Sequence, residues 1–168
     1  FMSRTSIAVI LSAASLLSAA DWPRFRGPNG DGIAADDKSP SALNLERNLA
    51  WKAKVPPGNS SPILVNSRLF LTAHEGLGRI VLCLDAATGK ELWRKTIPRT
   101  RPESSHTNNG PATPTLASDG RNVFAFFPDL GLLAYTVDGV ERWLTHLGPF
   151  ATVQALTPPP THPHATLP

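Results

Sequence analysis

Apolar and polar positions alternate in short runs along most of the chain, and each run is closed by turn residues. Trp51, Ala53 and Val55 alternate with Lys52 and Lys54 before Pro56, Pro57 and Gly58. A period of two turns one face inward, so the pattern predicts a strand there. Four more strands are predicted at 63–65, 69–73, 79–84 and 91–96, with Asn66-Ser67 and Thr88-Gly89 among their boundaries. Short strands with tight links make a meander. After a longer loop over 97–110 the meander is predicted again at 112–116, 122–127, 132–136 and 141–146, with Asp119-Gly120 in the place of Asn66-Ser67. Outside the first twenty residues no segment has helical periodicity, so the expected class is all-β.

The second meander repeats the first. Residues 82–93 (LCLDAATGKELW) align without a gap on 132–143 (LLAYTVDGVERW) at an offset of 50, matching Gly89 to Gly139 and Trp93 to Trp143. Pro62 matches Pro114 at an offset of 52, and Leu69 matches Val123 at 54. Trp51 precedes Trp93 by 42 residues and is read as closing an earlier unit. A repeat of this length points to stacked supersecondary units, because one four-stranded sheet leaves a large apolar face bare. A large ring on the last strand fills the space between neighbouring sheets. Trp51, Gly89, Trp93, Gly139 and Trp143 are therefore read as structural.

Composition agrees. The 17 Pro and 12 Gly among 168 residues suit a turn-rich β protein, and the net charge of +3 is scattered rather than blocked. Nothing supports nucleic-acid binding. Residues 2–20 combine Arg4, an apolar stretch from Ile7 to Leu17 and Ser18-Ala19-Ala20. They read as the helix of a signal peptide over 1–20, with no membrane span once it is removed. The single cysteine, Cys83, allows no intramolecular disulfide, and its apolar strand makes it a core thiol. The expected location is periplasmic or extracellular.

The expected organisation is thus a leader at 1–20, an irregular lead-in at 21–47, two units at 48–97 and 98–150, and a tail at 151–168. The lead-in is expected to pack on a domain face through Trp22 and Phe25. The tail holds five Pro among 18 residues and no Asp, Glu, Lys or Arg, which predicts disorder. Because the pattern stops after Phe150, two expectations stand: a truncated product with an out-of-frame or fused tail, or a two-unit chain that completes its stack by self-association.

The segments 84–93 and 134–143, and Ser60-Ser61-Pro62-Ile63-Leu64-Val65 followed by Arg68-Leu69-Phe70, resemble the tryptophan-docking repeat of the pyrroloquinoline-quinone-type β-propellers. Residues 22–32 (WPRFRGPNGDG) resemble the start of secreted bacterial members of that group. The resemblance covers residues 21 to about 150. It implies a partial β-propeller of about two four-stranded antiparallel blades. It implies two functions as well: an exported binding or scaffold module, a fragment without catalysis of its own, or a fragment of a quinoprotein alcohol or sugar dehydrogenase. The implied partners are further blades, a second copy or other envelope proteins.

Within that family the dehydrogenases hold pyrroloquinoline quinone between a Trp and a vicinal Cys-Cys disulfide, beside Ca²⁺. One cysteine excludes the disulfide. Residues 27–32 lack the leading Asp and the twelfth-position Glu of a calcium loop and read as a turn. His106, Asn108 and Asn109 are the candidate cofactor contacts, in a loop that a propeller would place at its channel mouth; the alternative is a solvated loop bonding its own backbone. His74 beside Glu75 is a candidate base or a solvated strand end. His146, His162 and His164 form no ligand set. No nucleophile–base pair and no phosphate-cradling loop is legible.

Overall fold

The computed structural model describes residues 21–34, 42–98, 110 and 112–147. The leader at 1–20, the loop carrying His106, Asn108 and Asn109, and the tail at 151–168 lie outside the described residues. The described residues are all-β, and among them there is no helix. They form two four-stranded antiparallel sheets, each in simple sequential order. The first comprises β1 (Ile63–Val65), β2 (Arg68–Glu75), β3 (Gly78–Asp85) and β4 (Glu91–Pro98). The second comprises β5 (Ala117–Ser118), β6 (Asn122–Phe127), β7 (Gly131–Thr136) and β8 (Glu141–His146).

Local chemistry sets the hairpins. Asn66 and Ser67 both have positive φ (51° and 60°), the geometry of a two-residue turn whose twist suits antiparallel strands. Asp85 organises the β3–β4 turn: its Oδ1 accepts from Ala87 N, Thr88 N and Thr88 Oγ1 at 3.1, 2.8 and 2.7 Å. Asp119 does the same before β6, accepting from Arg121 N and Asn122 N at 2.9 and 2.6 Å. The backbone and side-chain donors of Asn122 hold its carboxyl down at about 2.

The core lies between the sheets. Ile63, Val65, Phe70, Val81 and Cys83 of the first pack with Val123, Ala125, Phe127, Leu133 and Tyr135 of the second, and Ala112, Leu116 and Leu130 join them. A second cluster of Ala73, Ile80, Leu82 and Leu84 lies on the opposite face of the first sheet, under Trp51 and Ala53. This is why residues 79–84 of β3 are all buried: the strand is covered on both faces.

Several expectations are corrected. Residues 51–55 make no strand, because among the described residues no strand lies beside them to pair with; Trp51 and Ala53 are half-buried but Val55 is exposed. Residues 112–116 also make no strand; β5 begins at Ala117, while Ala112 O accepts from Asn59 N at 2.9 Å and Pro114 O from Thr72 Oγ1 at 3.2 Å. The gapless alignment fails at the turn. Cys83 faces Trp93 across the hairpin and Ala134 faces Trp143, so the offset is 51 before the glycine and 50 after it. Gly89 N closes its turn on Asp85 O, four residues back, whereas Gly139 N closes on Thr136 O, three back. By the same ladders Ile63 matches Ala117, not Pro62 with Pro114, while Leu69 does match Val123.

The lead-in is a clasp rather than a loose cover. Trp22 exchanges two backbone bonds with Leu64 of β1 (2.7 and 3.0 Å), and Pro23 O accepts from Ser118 N of β5 at 2.8 Å. It thereby ties the free edges of both sheets. Trp22 lies over Gly27 of its own turn, and Arg24 bonds Gly27 O and Pro28 O. Phe25, expected to pack, is 59% exposed.

Candidate functional site

The feature that organises this chain is a tryptophan seated on a glycine of a neighbouring sheet. Trp93 projects from β4, in the first sheet, and its ring lies on Gly139, in the β7–β8 turn of the second. A Cβ added there would stand 2.9 Å from Trp93 Cδ2, and φ at Gly139 is +85°. Only glycine meets both conditions without strain. Trp93 Nε1 donates to Val137 O at 3.0 Å, and the ring packs near Phe70 and Tyr135 at centroid distances of 5.8 and 6.1 Å. One carbonyl takes two donors, because Arg68 Nη1 also reaches Val137 O at 2.9 Å.

Trp51 makes the same contact one sheet earlier. Its ring lies on Gly89, φ +71°, where any Cβ would overlap it. Its Nε1 donates to Ala86 O at 2.9 Å. Ala86 and Val137 hold matching places one residue after the turn-opening Asp85 and Thr136. Beside Trp51 an apolar cleft of about 210 Å³ is lined by Ala53, Val55, Pro62, Leu69, Leu71 and Leu84, among others.

Trp143 differs. It holds the place of Trp93 on the second sheet but is 41% exposed, with Phe124 beside it at 6.1 Å. On the same face of the second sheet Phe124, Phe126 and Leu132 are half-buried and Ala134 is fully buried. The sequence reading placed Trp143 in a core alongside Trp93; the structure separates the two.

Charge also joins the sheets. Arg79 of β3 meets Asp129, in the β6–β7 turn, through Nε–Oδ1 at 3.1 Å and Nη2–Oδ2 at 2.9 Å, with side chains 2% and 0% exposed. Arg68 pairs with Asp138 at 2.6 Å, more openly. Sequence reasoning missed both. Arg79 carried a signal, a lone charge opening the apolar run 80–84, but Asp129 in Pro-Asp-Leu-Gly reads as an ordinary turn residue.

The described residues do not fit a quinone site of the kind the resemblance implies. Cys83 is buried between the sheets and is the chain's single cysteine. Among the described residues no group of three or more His, Cys, Asp or Glu could hold a metal. His74 is half-buried, its backbone N bonded to Pro57 O at 2.8 Å, and its Nε2 would lie 3.3 Å from a Cβ at Gly110. His146 Nδ1 contacts Leu130 O at 3.2 Å. The two histidines belong to different sheets and form no shared site. No helix among the described residues is long and apolar enough to cross a membrane.

Burial pushes the Cys83 thiol up to about 12, against the opposing pull of Arg68. The thiolate is the reactive form, so Cys83 is both shielded and protonated at pH 8. A thiol reagent at that pH is expected to label the native chain roughly a hundredfold or more slowly than the urea-unfolded chain. Labelling at the unfolded rate in native buffer would mean that the sheets do not stay stacked.

Compared with models of known protein families and with curated proteins, the chain matches none.

Proposed function

We propose that this chain is an exported β-propeller-repeat module that works by binding: its sheets are docking units, and it has no catalysis of its own. One observation carries the reading. The tryptophan-on-glycine contact occurs twice, at Trp51–Gly89 and Trp93–Gly139, and a third tryptophan, Trp143, holds the matching place on the second sheet and is 41% exposed. The signal-like residues 2–20 support export, and residues 22–32 support the family resemblance.

The test is enzymatic. Supplied with pyrroloquinoline quinone and Ca²⁺, the chain is expected to give no dye-linked oxidation of alcohols or glucose. Clear turnover would overturn the reading in favour of a quinoprotein dehydrogenase fragment. A quinone fluorescence titration separates the two independently, since that fragment must bind the cofactor and the docking module need not.

A further inference from the structure

We infer that residues 51–55 are a strand-addition site: an extended peptide of alternating acidic and small apolar residues pairs with their backbone and fills the cleft beside them. The inference rests on the reading of this chain as a docking module and names its partner's chemistry.

Three observations meet at this segment. The first is its backbone. Among the described residues no hydrogen bond reaches the N–H or C=O groups of residues 51–55. The segment is nevertheless held at both ends. Trp51 sits on Gly89 and donates through Nε1 to Ala86 O at 2.9 Å, and Pro57 O accepts from His74 N of β2 at 2.8 Å. A row of free donors and acceptors is a template for a further strand, and pinning the row in advance lowers the ordering cost of pairing.

The second observation is the cleft. Trp51, Ala53 and Val55 line it together with Leu69 and Leu71 of β2 and Pro62, and it encloses about 210 Å³. Lys52 and Lys54 are exposed instead. The segment thus has the two-residue period of a strand without a partner strand. A peptide paired alongside it turns every second side chain into the cleft. The volume equals that of roughly seven waters, which suits small aliphatic side chains such as Val.

The third is charge. The outward neighbours of an added strand are Lys52 and Lys54, and neither enters an ion pair among the described residues. Opposite charges across a ladder attract and like charges repel, so the outward side chains of the partner are Asp or Glu. Neither long edge strand of this chain has that pattern: β4 carries Arg94 and Lys95, and β8 carries Arg142 and Trp143. The partner is therefore a different chain.

Titration of the full chain against a dye-labelled, end-blocked peptide of alternating Glu and Val tests this, read by fluorescence anisotropy at low ionic strength. Saturable binding is expected, and a ¹³C-labelled copy of the peptide should show a strand amide band when bound. A Lys–Val counterpart should bind at least about tenfold more weakly. A Glu–Ser peptide, which has nothing apolar to place in the cleft, should lose at least about as much. The Glu–Val peptide N-methylated at every residue cannot form the ladder and should not bind. Lys52→Glu combined with Lys54→Glu, both at exposed positions, should leave the circular dichroism spectrum unchanged and reverse the preference toward the Lys–Val peptide. Any of four results would overturn the inference: no saturable binding, equal binding of the N-methylated or the Glu–Ser peptide, a preference unchanged by the double substitution, or a segment closed to the peptide by self-association of the chain. Each would leave the docking-module reading standing, because the oxidation and quinone assays decide that separately.

Discussion

Asp129→Ala is expected to cost about 3–5 kcal/mol of folding stability, the loss typical of breaking a buried ion pair from one side. The Arg79 side chain is 2% exposed and would lose the carboxylate that meets its Nε and Nη2 between the sheets. Small domains have roughly 5–15 kcal/mol in total, so most of the folded population is at stake. The attraction itself is not the source of this cost. Desolvating two charges offsets most of what their pairing gains, so Arg79→Met combined with Asp129→Leu should lie within about 2 kcal/mol of the parent chain. Asp138→Ala is the matching control, because Asp138 is 69% exposed and its pair with Arg68 is screened by water. It should cost no more than about 1 kcal/mol. Urea denaturation of the four proteins gives the comparison directly. Equal losses for Asp129→Ala and Asp138→Ala would show that the buried pair does not hold the sheets together.

Which parts of this architecture can be read from residues follows from the range of the forces involved. Strands 63–65, 122–127 and 141–146 fall where the alternation places them, because the two-residue period and the closing turns are local. The segment 51–55 has the same alternation and is not a strand, because a ladder also needs a partner and side-chain pattern cannot supply one. The one-residue change of offset at the glycine was hidden for a related reason. Asp85-Ala86-Ala87-Thr88-Gly89 and Thr136-Val137-Asp138-Gly139 are alike in composition but differ in the length of the hydrogen-bonded turn. A gapless alignment absorbs that difference and carries it into the strand before the turn. The Arg79–Asp129 pair was the hardest to foresee: its members are 50 residues apart, and only the stacking of one sheet on the next brings them together.

Trp93→Ala should be the second large loss, about 3 kcal/mol, at the low end of the range for a buried ring because Trp93 is half-buried. Three contributions add. The ring leaves Phe70 and Tyr135, the Val137 carbonyl loses the indole N–H, and the space over Gly139 opens between the sheets. Trp93→Phe isolates the second of these: it keeps most of the ring contact, drops the N–H donor, and should cost about 1 kcal/mol beyond the small loss of area. Arg68 still donates to the same carbonyl at 2.9 Å, so that oxygen is not left bare. Trp143→Ala carries the argument, since it removes the same residue from the matching place on the other sheet. At concentrations where the chain is monomeric it should change stability by less than about 0.5 kcal/mol, as expected of an exposed position. Intrinsic fluorescence provides a second readout. Loss of Trp93 should remove a blue-shifted component and loss of Trp143 a solvent-exposed one. If the two variants were equally destabilised, Trp93 would owe nothing to its glycine seat, and the stacking of one sheet on the next would need another cause.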